Sequence, residues 1–372
     1  MNVLICPDKF KGSLTAPAAA RAIARAVRTA LPHARVVIQP LADGGEGSLE
    51  LLAHRGGLRR RRLEVSGPLR RPLQAEYLLG DGRAVIESAA ACGLHLVPPH
   101  RRHPRNTTTI GVGMLLDDAL SRGAKTITLL LGGSATNDCG AGMAAALGYR
   151  FLTKTGLDFV PMADSLSAVD RIVATGRHPG LVEAHVTTLC DVTNPLTGPA
   201  GASLTYAEQK GASPDELKAL DLQHEHFAEL LRRDLGRDVA ALPGAGAAGG
   251  LGAGAAAFLG ATIRPGTEGL FEAVGFRELA RRADLIITGE GKIDAQTRYG
   301  KVVAGVLRVG KPTLAVCGSC TTDPEMLGAV EVLALDRAYD RPTEVLMRDA
   351  DALLERMVHD YLKERQLPKS AG

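Results

Sequence analysis

The chain has 372 residues, 45% of them hydrophobic, 3% aromatic and 23% charged, with 44 Lys and Arg against 41 Asp and Glu for a formal net charge of +3. A length beyond the ~250–300 residues at which one core usually divides predicts two domains, and the absence of tryptophan predicts cores of Ala, Val and Leu. Near-balanced charge excludes a bulk field that drives the chain onto nucleic acid or membrane, and the basic runs at 59–62, 70–71 and 100–105 lack interleaved aromatic residues and read as solvated surface.

In chain order, Val3-Leu-Ile-Cys6 reads as a buried strand that empties into Pro7-Asp8-Lys9-Phe10-Lys11-Gly12-Ser13. Only about five apolar residues precede Asp8, too few for a secretory signal, so a cytoplasmic chain is expected. Thr15 with Pro17 starts a helix through about Thr29. A second strand, 35–39, runs into Pro40-Leu-Ala-Asp43-Gly-Gly-Glu46-Gly47, and a helix is expected over 49–53. Three short strands then follow at 62–65, 73–79 and 84–88, joined by turns at 66–68 and 80–82 that mark a new domain.

The strand 125–131 leads into Gly132-Gly-Ser-Ala-Thr-Asn-Asp-Cys-Gly-Ala-Gly142 and a helix over 143–147. A loop between a strand's carboxyl end and a helix's amino end offers backbone N–H groups and a favourable dipole to an anion, while a turn capped by Asn137 or Asp138 is the plainer alternative. Strand 186–190 runs into Asp191-Val-Thr-Asn194-Pro-Leu-Thr-Gly198, and 217–235 is an amphipathic helix carrying His224 and His226, read as exposed. Pro243-Gly244-Ala-Gly246-Ala-Ala-Gly249-Gly250 contains a G-x-G-x-x-G without the preceding strand that a dinucleotide fingerprint requires, so a nucleotide-phosphate or helix-packing role is favoured. The uncharged run 244–263 is not read as membrane-spanning, because seven of its residues are glycine.

Strand 284–288 runs into Gly289-Glu290-Gly-Lys292-Ile-Asp294, and strand 313–316 into Cys317-Gly-Ser-Cys320. The last pattern is read as a strand-end turn rather than a redox or papain-like motif, since Thr321 stands where the protease pattern has an aromatic residue. The six cysteines are scattered, no Cys or His cluster has zinc spacing, and 343–362 is expected to be one amphipathic helix. Alternating strands and helices predict an α/β fold with largely parallel sheets. The return to strand–loop–helix order after 282 predicts a discontinuous first domain, 1–63 with 284–372, and an inserted second α/β domain, 64–283, that carries the Gly-rich loops. A simple split into amino-terminal and carboxy-terminal halves is the alternative.

Four segments thus place carboxylates at strand ends, where ligands of open α/β sheets collect. Each acid alone reads as a helix cap, but four beside lysines and Gly-rich loops point to a shared site. Phosphoryl transfer needs such a set: carboxylates for Mg²⁺, cations and backbone N–H for phosphates, and one carboxylate to deprotonate a hydroxyl. Neither the Walker A pattern nor the protein-kinase motifs occur. A nicotinamide-dependent hydroxy-acid oxidoreductase and a non-catalytic small-acid binding protein are the competing classes, and neither needs several carboxylates.

The blocks Pro7-Asp8-Lys9-Phe10-Lys11-Gly12-Ser13-Leu14, Ala42-Asp43-Gly-Gly-Glu46-Gly47, Gly132-Gly133-Ser134-Ala-Thr136-Asn137-Asp138, Cys190 to Gly198, Gln209-Lys210-Gly211, Pro243 to Gly250 and Ile287 to Asp294, in this order over nearly the whole chain, resemble the bacterial glycerate kinases of the glyoxylate and glucarate pathways. The resemblance implies ATP-dependent phosphorylation of D-glycerate, at the 2-hydroxyl with the 3-hydroxyl as the alternative, in a cleft between two α/β domains, by a monomer or homodimer. In that light the expected phosphate-binding residues are Gly132, Gly133, Ser134, Thr136 and Asn137 with Gly244, Gly246, Gly249 and Gly250, and the expected Mg²⁺ ligands are Asp138 and Glu290. Asp8, Lys11, Ser13, Asp43, Asn194 and Lys210 are expected to bind substrate. The expected catalytic residues are Asp191, Lys292 and Asp294, with Asp191 the first choice for the base and Asp8, Asp43 and Asp294 left open. Four positions depart from the family pattern: Lys9 for a small polar residue, Cys139 for glycine, Tyr206-Ala207 for aromatic-Gly-Pro, and Gly300-Lys301-Val302-Val303 for Gly-Lys-Ala-Pro.

Overall fold

The computed structural model describes residues 1–42, 44, 47–53, 57–294, 297, 302–323 and 331–365. The chain forms two compact units, one of residues 1–43 with 267–372 and the other of residues 44–266. In the first unit β1 (Asn2–Ile5) lies between β2 (Arg35–Ile38) and β12 (Leu285–Ile293), and β13 (Thr313–Cys320) and β14 (Glu331–Ala334) continue beyond β12. All four pairings are parallel. Such a sheet must be covered on its faces, and the helix Ala16–Ala30 does so with Ala19, Ile23 and Val27 packed on Val3, Ile5 and the later helix Ala350–Glu364. The helix starts where the chain predicts, with the Thr15 hydroxyl accepting from Ala18 N at 3.3 Å and Pro17 in the first turn.

The second unit is built on a six-stranded mixed sheet. β3 (Arg59–Ser66), β4 (Pro72–Gly80) and β5 (Arg83–Glu87) form an antiparallel meander, and β6 (Thr126–Leu130), β10 (His185–Leu189) and β11 (Thr262–Arg264) add in parallel to β5. A small antiparallel sheet of β7 (Arg150–Leu152), β8 (Asp158–Phe159) and β9 (Arg171–Val173) completes it. Ala, Val and Leu fill most of the core, yet Tyr149, Phe151, Phe227 and Phe258 gather in one aromatic cluster, with ring centroids 5.0 Å apart for Tyr149 and Phe258 and 5.9 Å apart for Phe151 and Phe227.

Three local expectations change. β12 runs on to Ile293 and β13 to Cys320, so Glu290, Lys292, Cys317 and Cys320 are strand residues rather than turn residues. Glycines 289 and 291 read as breakers in sequence, but Gly289 serves close pairing: a Cβ there would stand 2.1 Å from the Val316 carbonyl oxygen. The helix expected over 343–362 is two, Thr343–Arg348 and Ala350–Glu364. His224 is wholly buried, because it continues the stripe Leu220, Phe227 and Leu231 on the inward face of the helix Pro214–Leu235. Among the described residues no helix is long and apolar enough to cross a membrane.

Candidate active site

In the first unit, β1 is followed in sequence by β2 on one side and flanked by β12 on the other, so connections leave the β1–β12 seam in opposite directions. The carboxyl edge of such a seam is the crevice where open parallel sheets take their ligands. Pairing continues past β1, with Cys6 N donating to Ile287 O and Asp8 N to Gly289 O, each at 2.8 Å. A Cβ at Gly291 would stand 2.9 Å from Lys11 N, so this glycine lets the loop after β1 lie against β12. The seam therefore brings Asp8 and Lys11 beside Glu290, Lys292 and Asp294.

These groups differ in exposure. Asp8 and Glu290 are each 7% exposed, whereas Lys11 and Lys292 extend into solvent. The Asp8 carboxylate accepts from Lys9 N at 2.6 Å, and Glu290 Oε1 accepts from the Thr297 hydroxyl at 2.9 Å. Thr297 Oγ1 in turn accepts from Asp294 N at 3.1 Å, and Lys292 Nζ lies 3.8 Å from Asp294 Oδ2. The Ser13 hydroxyl donates to Met347 O at 2.5 Å, which ties the loop to the helix Thr343–Arg348. Asp43 and Glu46 lie outside the described residues.

In the second unit, the loop after β6 is stitched to two other segments. Leu94 N donates to Gly133 O at 2.7 Å and Ala135 N to Cys92 O at 2.8 Å, so 132–135 pairs along 92–94. Gly133 is exposed and Gly132 half-exposed, while Thr136, Asn137 and Asp138 are sealed from solvent. Asp138 Oδ2 accepts from Thr109 N at 2.8 Å, Thr109 Oγ1 at 2.9 Å and Gly142 N at 3.3 Å, and its Oδ1 accepts from Gly140 N at 3.2 Å. Burial pushes the Asp138 carboxyl up against these four donors. Its oxygens are occupied by protein, which revises the expectation that it ligates metal. The following helix, Ala141–Ala146, has only six residues, and its early N–H groups are taken by Asp138 and by Thr109 Oγ1, which accepts from Met143 N at 2.9 Å. The exposed part of this loop is the backbone at Gly132 and Gly133.

The second Gly-rich segment is packed rather than open. Ala248, Gly249 and Gly250 all have positive φ, 53°, 69° and 84°, which kinks the helix Ala247–Leu259 in its first turn. A Cβ at Gly249 would sit 1.9 Å from Thr136 O, one at Gly246 2.3 Å from Pro195 O, one at Gly250 2.8 Å from Cys139 Sγ and one at Gly244 2.8 Å from Ile263 Cγ2. These four glycines are buried, and the space their missing side chains leave is filled by neighbouring loops. That close packing is what the helix-packing alternative expects of these glycines.

At the end of β10 the half-buried Asp191 opens a loop that Asn194 holds in shape. Asn194 Nδ2 donates to Ala200 O at 2.7 Å, its Oδ1 accepts from the Tyr206 hydroxyl at 2.7 Å, and its carbonyl accepts from Gly246 N at 2.9 Å. Asn194 is thus committed at both ends of its amide, a loop brace where a substrate ligand was expected. The same contacts give a role to Tyr206, the aromatic residue that precedes Ala207. Cys139 has φ 51°, which explains why glycine is usual at its position.

Lys210 is 3% exposed, and its ammonium donates to Thr136 O at 2.8 Å and Ser134 Oγ at 3.2 Å. Burial lowers its pKa to about 8. Nearby, Asn137 Nδ2 donates to Ser203 Oγ at 3.0 Å, Ser203 lies 3.3 Å from His224 Nδ1, and His224 Nε2 lies 2.9 Å from Asn137 O. The residues Thr107 to Thr109, Ser203 and His224 were not anticipated as supports of the loop. The three consecutive threonines before the helix Ile110–Ser121 and the heptad placing of His224 are the sequence signals that mark them. Among the described residues no group of three or more His, Cys, Asp and Glu side chains is arranged to hold a metal ion.

The comparisons with known proteins agree along the whole chain. The model of the glycerate kinase family matches residues 3–365. A glycerate kinase of Halalkalibacterium halodurans is 44% identical over 365 residues, 95% of each chain. A glycerate 2-kinase of Escherichia coli is 41% identical over 351 residues, 92% of this chain and 91% of that one. A crystal structure described as a glycerate kinase 2 from Salmonella typhimurium LT2 superposes with a TM-score of 0.86 at 40% identity, covering 98% of both chains.

Proposed function

Because this chain belongs to the glycerate kinase family, we propose that it transfers the γ-phosphoryl group of ATP to the 2-hydroxyl of D-glycerate. The observation that carries the reading is the β1–β12 seam, where two nearly buried carboxylates, Asp8 and Glu290, stand beside the solvent-reaching Lys11 and Lys292. A transferring phosphoryl group and a carboxylate substrate both need cations held in place, and catalysis of this step is mostly positioning and charge stabilisation. The name of the Escherichia coli relative, a glycerate 2-kinase, supports the 2-hydroxyl as acceptor.

We assign the anion-neutralising role to Lys11 and Lys292, phosphate contact to the backbone at Gly132 and Gly133 with the Ser134 hydroxyl, and the base to Asp191. In the step, the glycerate oxygen forms its bond to the γ-phosphorus as the bond to the β–γ bridging oxygen breaks. The hydroxyl proton passes to the carboxylate. Glu290 fits Mg²⁺, being a hard-oxygen carboxylate of β12, and one or two carboxylates suffice when substrate phosphates complete the shell. A cation held there by Glu290 would neutralise charge on the phosphates. Six free, buried cysteines support a reducing, cytoplasmic setting.

The test is Mg²⁺-dependent ATP consumption with D-glycerate, the product identified by phosphorus NMR. A 2-phosphate is expected, a 3-phosphate overturns the regiochemistry, and no turnover by folded protein overturns the reading. Asp191→Asn is expected to keep the fold and nucleotide binding while lowering kcat by ~10² or more, and near-normal turnover in that variant sinks the assignment of the base.

A further inference from the structure

We propose that Lys210 is a positioning residue that sets the donor polarity of the loop 132–137, acting through Ser134 and Thr136 rather than touching substrate. The inference rests on the kinase reading above and concerns how its phosphate loop is made. Glu208–Lys210 is a single turn closed by Gly211 at φ 100°. A Cβ on Gly211 would meet Arg102 O at 2.1 Å, so this glycine lets the turn press down and carry the lysine stem inside. The ammonium spends its hydrogen bonds on Ser134 Oγ and Thr136 O, while the buried Asp138, itself held by four donors of the protein, acts on it through space.

An ammonium only donates. Ser134 Oγ therefore accepts from Lys210, and the Ser134 hydroxyl proton is left to point at another acceptor. The Thr136 carbonyl is drawn toward Lys210, and in a trans peptide the N–H of Asn137 then points the opposite way. The carbonyl's place is also shaped by Gly249, whose missing Cβ leaves room 1.9 Å away. One buried cation thus fixes the direction of a hydroxyl and of a peptide within the loop and adds positive charge beneath the exposed Gly132–Gly133 backbone, the polarity an anionic phosphate chain requires. The lowered pKa of Lys210 agrees with a cation kept in place at the expense of its hydration.

The experiment compares the full chain with Lys210→Met, Ser134→Ala and the double variant, measuring kcat and the KM for ATP and for D-glycerate well below each melting temperature. Lys210→Met is expected to raise the KM for ATP about tenfold or more while the KM for glycerate stays within about twofold, and the double variant is expected to be no worse than Lys210→Met. An unchanged KM for ATP in Lys210→Met, with only a lowered melting temperature, overturns the proposal, as do equal losses for both substrates or fully additive effects. If Lys210→Met does not fold, Ser134→Ala decides: a selective rise in the KM for ATP supports the proposal and an unchanged one overturns it. Absence of wild-type turnover is a separate result and strikes the kinase reading itself.

Discussion

The β1–β12 seam of the first unit and the loop cluster of the second solve opposite problems with the same residue types. At the seam, Lys292 reaches into solvent with its ammonium 3.8 Å from Asp294, and Glu290 accepts from the Thr297 hydroxyl. In the loop cluster, the acid Asp138, the cation Lys210 and the base His224 are all sealed and spend their hydrogen bonds on backbone and hydroxyl groups. The lysines proposed to handle a ligand stay reachable, and the charged groups that hold a loop in shape are enclosed. A buried polar network is costly when half satisfied and rigid when satisfied, which suits support rather than binding.

The contrast predicts that variants of Asp138 and His224 act on stability and variants of the seam lysines on turnover. The largest effect is expected from Asp138→Ala, which orphans four donors in a sealed site. A loss of about 3 kcal/mol in urea unfolding is expected, and a change under about 1 kcal/mol breaks the claim that Asp138 is the loop's anchor.

His224 comes next. Burial lowers its folded-state pKa to about 4, against the ordinary 6.5, so the unfolded chain takes the proton first. Stability carried by the neutral imidazole is full above about pH 6.5 and drains as pH falls toward about 4, by roughly 3 kcal/mol over that window. His224→Phe should be less stable at neutral pH yet lack this part of the acid slope, and identical slopes in both proteins contradict the assignment. A smaller and different effect is expected from Lys292→Ala: kcat/KM lower by about tenfold with unfolding free energy within about 0.5 kcal/mol of wild type, since its side chain is 58% exposed. A stability loss larger than the loss in activity would erase the contrast between the two regions. Smallest of all, Cys139→Gly relieves a left-handed backbone but empties a buried thiol's space, so the two terms offset to within about 1 kcal/mol, read by thermal unfolding.

Much of the frame was legible in the chain. The capped helix after Thr15, the antiparallel meander at 59–87 and the strand-to-loop junctions at Asp8 and Asp191 follow from local pattern, because caps, turns and apolar runs act over a few residues. The junction at Glu290 was misplaced because glycine signals a break locally but permits close strand pairing here. His224 was read as exposed although its spacing from Leu220 and Phe227 marked the inward face.

By itself the sequence determined the α/β class, the positions of most strand ends and the order of motifs that places the chain in its family. Only the tertiary structure decided what each polar or glycine residue in those motifs does. An aspartate in a loop caps, anchors or ligates with the same chemistry, and a glycine spares room equally for a phosphate or for a neighbouring carbonyl. The difference lies in what stands opposite. For Gly249 that is Thr136 O, for Asp138 it is Thr109, and for His224 it is Asn137 O, 87 residues away along the chain. Such partners are brought together by packing of the whole unit, so no local pattern records them.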